Sequence, residues 1–373
     1  MAEGTYDEQV IIDKDLTLQG AGDTTVIQPS QDTANGFQLF SRKASANLPT
    51  AAIIVVDQAG FTSVTIKDLK VDGSLVNSVP AEATMFVGIL WRGTGGTIDS
   101  VTVEGIDITN GNAIYITSYG KTVTTEVKGC TISGFLKNGI TANHAGLTAN
   151  IHNNTVIGSG PTDAVAQNGI QVGFGATGSV VENTVSDIAY TGEDWEACGI
   201  LFLDSSGTAT DNTVTDCQAG IVAQAGWYPP VTCDVTIENN TIDATGLTNL
   251  SYICGTGAVT WDENAAIDVT IKNNDLTGAG YGEGVSIGSE YGDGTVNATI
   301  EGNDISNWED GIWIGPTSNE IKINFNNIKG NSEYGVYNAL TVTVDATLNY
   351  WGDATGPYHP TVNSDGQGDN VGD

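Results

Sequence analysis

The sequence predicts an all-β fold made of about twelve repeated coils, with three short strands in each coil. Three observations predict it. Short β-branched runs broken by Gly and Asn dominate the 373 residues, 48 of which are glycine, and helix-period stretches of Leu, Ala, Glu and Lys are missing. An asparagine recurs two residues before an apolar residue, at Asn154, Asn183, Asn212, Asn240, Asn274, Asn303, Asn326 and Asn349, in steps of 29, 29, 28, 34, 29, 23 and 23 residues. In phase with it, a Gly followed by an apolar residue recurs at Gly88, Gly139, Gly169, Gly199, Gly220, Gly257, Gly284, Gly311 and Gly335.

Each unit is read in order: a strand after the Gly, a turn, a second strand, the Asn turn, a short third strand, and a loop of variable length. Three strands in 23 or more residues describe one coil of a parallel β-helix, in which every strand pairs with its counterpart one coil on. Coils stacked about 4.8 Å apart place like positions in columns. A carboxamide has both donors and an acceptor, so the asparagines are expected to bond up their column as a ladder, satisfying a turn that is otherwise short of partners. The Gly is assigned to a corner that needs a positive φ. The same frame is extended backward through Cys130, Ile106, Leu69 and Leu16, where an apolar residue or a thiol replaces the amide. Twelve such coils would measure roughly 50–60 Å.

Charge narrows the function. Twelve basic residues against 45 acidic ones leave a net charge of −33, which repels phosphate backbones and anionic membrane surfaces. Nucleic-acid binding and membrane insertion are therefore excluded as expectations, and neither a transmembrane stretch nor a secretory leader is read in the sequence. Five cysteines are too few for a disulfide scaffold and lack a C-x-x-C zinc spacing. Cys217 and Cys254 each lie three residues before a corner Gly (Gly220 and Gly257), so stacking would bring them within disulfide reach.

The coils resemble the repeats of the pectate-lyase-like superfamily, which are single-stranded, right-handed parallel β-helices with an asparagine ladder. Two end motifs, "GTYDEQVIIDKDLTLQGAG" (Gly4 to Gly22) and "LNYWGDATGPYHP" (Leu348 to Pro360), are similar to the first and last coils of β-helix surface proteins of methanogenic archaea and bacteria. The resemblance implies a single β-helix domain over 1–373, excised from a longer surface protein, with a Gly/Asp-rich tail over 361–373. It implies an extracellular or cell-surface location and a non-catalytic structural, adhesive or assembly role. The implied partners are cell-surface glycans or further copies of the chain.

The same superfamily contains lyases, hydrolases and epimerases, so the chain is also read for catalysis. The outward positions two residues after the Gly, or after Ala113 where it replaces the Gly, are Leu90, Tyr115, Thr141, Gln171, Leu201, Val222, Val259, Ser286, Trp313 and Tyr337, with no carboxylate among them. Hydrolysis needs a pair of carboxyl groups. With Arg42 and Arg92 as the only arginines, an anionic polysaccharide lacks obvious counter-charges. The loops instead set aromatic rings beside acids, a pattern that suits neutral or weakly charged glycans. The candidate carbohydrate-binding residues are Asp194, Trp195, Glu196, Trp227, Tyr228, Trp261, Asp262, Glu263, Trp308 and Trp313. In the alternative reading, a polysaccharide-active enzyme, Asp194, Glu196, Asp262 and Glu263 are the acids. No catalytic residue is assigned and no cofactor is expected. Acidic loops such as "SEYGDG" (Ser289 to Gly294) and the tail offer only a weak Ca²⁺ signal.

Overall fold

Strands of β-branched residues form where the repeat places them, and every coil-to-coil pairing described below is parallel. The computed structural model describes all residues except 58–62, 228–231, 249, 289–293, 341–342 and 373. The chain divides into two compact units, Met1–Ile188 and Ala189–Asp373.

In the first unit the strands that follow the corner are Val10–Ile12, Pro49–Val56, Met85–Arg92, Asn112–Thr117, Asn138–Asn143 and Asn168–Gly173. They pair in that order, with Ile54, Ile89, Ile114, Ile140 and Ile170 in one inward column. All five are fully buried. In the second unit the equivalents are Cys198–Leu203, Ala219–Ala225, Cys254–Thr260, Glu283–Ile287, Asp310–Ile314 and Tyr334–Asn338. Ile200, Ile221, Thr256, Val285, Ile312 and Val336 form the matching column. Each buried aliphatic side chain contributes roughly 1.5–3 kcal/mol, so such columns supply most of the cohesion between coils. Six strands of this class per unit among the described residues agree with about twelve coils.

The asparagine ladder is present in both units. In the first, Asn154 donates from its backbone N and from Nδ2 to Asn183 Oδ1 (3.0 and 2.9 Å). In the second, the same pair of bonds runs through Asn212, Asn240, Asn274, Asn303, Asn326 and Asn349 at 2.9–3.1 Å. Each Oδ1 thus accepts from both donors of the residue one coil back. The residue just before each ladder position is left-handed, including Asn153, Asn239 and Asn273 at φ between 54° and 58°. Asparagine tolerates that conformation better than other L-residues. In "ENN" and "KNN" the first Asn therefore turns the chain and the second bonds along the stack.

Three details of the sequence reading are corrected. The corner glycines are not the positive-φ residues. They are needed because a Cβ would strike the next coil: at Gly139, Gly284 and Gly311 it would lie 2.6 Å from the carbonyl oxygen of Gly169, Gly311 and Gly335. The corner in "CGTGAV" is Gly255 and not Gly257, since Ala219 pairs with Cys254 and Val222 with Gly257. Val259 therefore leaves the outward column and Gly257 enters it. Before Asn154 the ladder column runs through Leu69, Val101 and Cys130. Ile106 lies beyond an unbroken ten-residue strand, Gly95–Glu104, and Leu16 pairs with Val64 in a different column.

The same shift removes the case for a disulfide between Cys217 and Cys254. Cys254 stacks on Ala219, which stacks on Cys198, while Cys217 ends the strand Thr213–Cys217 in another column. Both thiols are buried, and neither is in a disulfide.

Candidate functional site

The outward face of the second unit's corner strands carries two side-chain columns. The first, immediately before the corner glycines, reads Cys198, Ala219, Cys254, Glu283, Asp310 and Tyr334. The second, two residues after each glycine, reads Leu201, Val222, Gly257, Ser286, Trp313 and Tyr337. Cys198, Leu201, Ala219, Val222 and Cys254 form an apolar floor outside the main core, with Leu203 and Tyr252 packed against it. Next along the stack come two carboxyl groups, and after them a rim of aromatic rings. Gly257 leaves no side chain between Val222 and Ser286.

Glu283 and Asp310 are direct register partners on adjacent strands. The Tyr252 hydroxyl donates to Glu283 Oε2 at 3.2 Å. Burial raises the Glu283 carboxyl to about 7, and the nearby charges of Asp310 and Glu196 push the same way against the bonds from Ser286 and Tyr252. Asp310 is raised to about 6, by burial first and then by Glu333 and Glu309. Its Oδ1 is buried with no hydrogen-bond partner. Glu196 is also raised by burial, and Tyr252 is pushed well above the ordinary phenol value by burial and then by Cys254, Glu283 and Glu196. A carboxyl group held protonated beside one that ionises more readily is the arrangement that acid–base chemistry requires.

Loops build the walls. Trp195 and Trp227 meet with ring centroids 5.4 Å apart and planes inclined by 38°. Trp195 precedes the strand Cys198–Leu203 and Trp227 follows the strand Ala219–Ala225. Opposite ends of this strand layer lie about 20 Å apart at 3.3 Å per residue, so the loop carrying Trp195 must cross the outer face. Leu203 and Tyr252 pack against the cluster that holds Leu201 and Val222, each of which is 5 % exposed. Buried Asp204 anchors the other side, its Oδ1 accepting from the backbone N of Gly226 (2.7 Å) and Trp227 (3.2 Å). Beyond Asp310, the rings of Tyr334 and Tyr337 pack at 5.1 Å beside Trp313.

The candidates read from the sequence separate into three groups. Trp195, Trp227 and Glu196 come to the trough, and Trp313 lies on its aromatic rim. Asp194 is exposed in the crossing loop. Trp261, Asp262 and Glu263 sit together past the end of Cys254–Thr260, where Asp262 Oδ1 caps a turn by accepting from Asn264 N at 2.9 Å. Trp308 is a correction: it is fully buried, and its Nε1 donates to Leu276 O at 3.2 Å, so it packs in the core. Tyr228, residues 289–293 of the proposed Ca²⁺ loop and Asp373 of the tail lie outside the described residues. Among the described residues no group of three or more His, Cys, Asp or Glu is arranged to hold a metal ion.

Glu283, Asp310 and Tyr252 are the site residues that the sequence reading missed. A signal existed in "YGEGVSIG" and "NWEDGIWIG", where a carboxylate stands directly before the corner glycine. Both carboxylates stand outside the column two residues after the glycine. Tyr252 arrives from a loop between repeats and had no periodic signal.

A comparison with curated protein sequences gives no match. Among solved structures, the A-module of the mannuronan C-5 epimerase AlgE6 from Azotobacter vinelandii is similar, with a TM-score of 0.55 and 17 % identity over 94 % of this chain and 90 % of that one. At that identity the likeness concerns the fold. The family model described as "Right handed beta helix region" matches residues 51–276. Parallel pairing coil after coil, the internal asparagine ladder and this match make the chain a member of the right-handed β-helix family.

Proposed function

We propose that the protein acts on a glycan bound along the outward trough of its second unit, cleaving a glycosidic bond between Glu283 and Asp310. The observation that carries the reading is the direct register pairing of the two carboxyl groups, with Tyr252 bonded to one of them. Adjacent parallel strands lie about 4.8 Å apart, close to the separation of about 5–5.5 Å found in glycosidases that retain configuration. Glu283, raised to about 7, gives its proton to the departing glycosidic oxygen as the C–O bond breaks. Asp310, as carboxylate, attacks the anomeric carbon, and water then releases the sugar with Glu283 taking back a proton. Trp313, Tyr334 and Tyr337 supply ring faces for sugar CH groups. A net charge of −33 favours a neutral or weakly charged chain as substrate. The polysaccharide-acting enzyme among the structural neighbours lends support by analogy only.

The alternative, a non-catalytic surface module that holds glycan, draws on the Trp195–Trp227 contact, which closes half of the trough over an apolar floor. Incubation with neutral oligosaccharides followed by analysis of reducing ends separates the two. Product formation that disappears in Glu283→Gln supports hydrolysis. Saturable binding with no product in the unsubstituted chain supports the module and ends the catalytic reading.

A further inference from the structure

Inward columns of the second unit lose their bulk together at one coil. One column reads Ala258, Ile287, Ile314 and then Asn338. On the next strand layer, Asp345 pairs in parallel with exposed Lys322, which sets Val344 beside Ile321 and Ala346 beside Ile323. Ile321 and Ile323 are buried. Around the same level, Val371 pairs with Val336, and the pairing of Tyr350 with Asn327 sets Trp351 beside Ile328.

A valine and an alanine beside two isoleucines remove volume that a close-packed interior would fill. The result is a cavity of about 620 Å³, with Val336, Asn338, Val344, Ala346, Trp351 and Val371 among its lining residues. Val336 and Trp351 are buried, whereas Val344, Ala346 and Val371 are half-buried, so the cavity opens to solvent.

The lining selects the ligand. Among the described residues no ionisable side chain lines the cavity. Its amide and hydroxyl side chains are Asn338, inward where the preceding coil carries Ile314, and exposed Thr343. Apolar walls with a few placed polar groups are the make-up of a small-molecule site. Size bounds the ligand: a cavity of about 150 Å³ holds benzene, so this one, open on one side, takes a chain of about eight to ten carbons. Charge excludes one kind of head group. Asp345 is exposed between Val344 and Ala346, and the net charge is −33, so an anionic head is repelled.

We propose that this cavity binds a single aliphatic chain of about eight to ten carbons ending in an uncharged oxygen group. The site shares no residue with the acid trough and needs no glycan, so either can stand without the other.

The test is a titration of the full chain, ¹³C-labelled in Ala, Val, Leu and Ile methyls, with 1-hexanol, 1-heptanol and 1-octanol. Octanol reaches about 2 mM, enough to fill two thirds of a site with a Kd of about 1 mM. Saturable shifts of the Val344, Ala346 and Val371 methyls are expected, with Ile200 and Ile221 unmoved, and affinity should rise about fourfold per added methylene. Octanoate at pH 8 should bind at least about threefold more weakly than octanol. Ala346→Phe and Val371→Phe refill the space, and either should abolish the response of the remaining methyls. Unmoved methyls with octanol in the unsubstituted chain overturn the proposal. So do shifts that are equal across the alcohol series or spread over both units. Methyl shifts that follow protein concentration and not alcohol would assign the cavity to a second copy and overturn it too. Flotation with phosphatidylcholine vesicles, with no response to free alcohol, would assign it to a membrane and do the same.

Discussion

Glu283 and Asp310 are register partners, one coil apart, and burial raises both carboxyl groups, to about 7 and about 6. If they work as acid and nucleophile, Glu283→Gln and Asp310→Asn should each lower glycan cleavage by about 10²–10⁴-fold. Binding, followed by tryptophan fluorescence, should change little. Reducing-end assays on the purified variants check this, and a variant that keeps its rate removes that residue from the chemistry.

The same two groups set a pH profile. Activity requires Asp310 ionised and Glu283 protonated, so the rate should rise through about 6 and fall through about 7. Stability has the opposite bias at high pH. Both carboxyls bind protons more tightly in the folded chain than at their ordinary values of 3.8 and 4.5, so the folded state holds extra protons between those values and about 7. Their contribution is full below the ordinary values and is lost as pH rises through the raised ones. Urea unfolding between about pH 4 and about pH 8 should show stability falling with this slope, and the double Gln/Asn variant should flatten it.

Trp308 and Trp195 separate core from surface. Trp308 is fully buried and Trp195 is 57 % exposed. Trp308→Ala should cost about 3–5 kcal/mol in equilibrium unfolding. Trp195→Ala should cost less than about 0.5 kcal/mol, yet it opens the bridge to Trp227 and should change glycan affinity measured by calorimetry.

Asn274 bonds to Asn303 Oδ1 and Ile237 O, and its own Oδ1 accepts twice from Asn240. Asn274→Ala takes the acceptor from the backbone N of Asn240 and removes the side-chain bonds to Asn303 Oδ1 and Ile237 O, and should destabilise by about 2–4 kcal/mol. Asn273→Ala, one residue earlier at φ 54°, should lose less, through backbone strain alone. Denaturant midpoints of the two variants decide the order.

All five cysteines are buried, and none is in a disulfide. Burial lifts the Cys130 and Cys233 thiols to about 12 and Cys254 well above its ordinary value. Alkylation of the native protein should be negligible, and all five should react after denaturation without reductant. A mass shift of two hydrogens on reduction would contradict the register found for Cys217 and Cys254.

The repeat made the coil, the ladder and the inward columns legible from the sequence alone, because stacking forces like residues into like positions and periodicity records it. Asn240 could be identified as structural from its spacing. The role of the asparagine before it, and the steric rather than conformational need for Gly at the corner, depended on backbone geometry that spacing does not encode. The site was harder to read. Glu283 and Asp310 carry a periodic signal in the column just before the corner glycine, and two glycines in the same phrase, Gly255 and Gly257, leave open by one residue what stacks on Cys254. Tyr252, the Trp195–Trp227 bridge and the interior place of Trp308 come from loops without a repeat, and sequence distance says nothing about where such a loop returns to the surface. Local chemistry determined the helix; only the tertiary structure decided which loops close over which face, because that depends on packing between coils and not on the pattern within them.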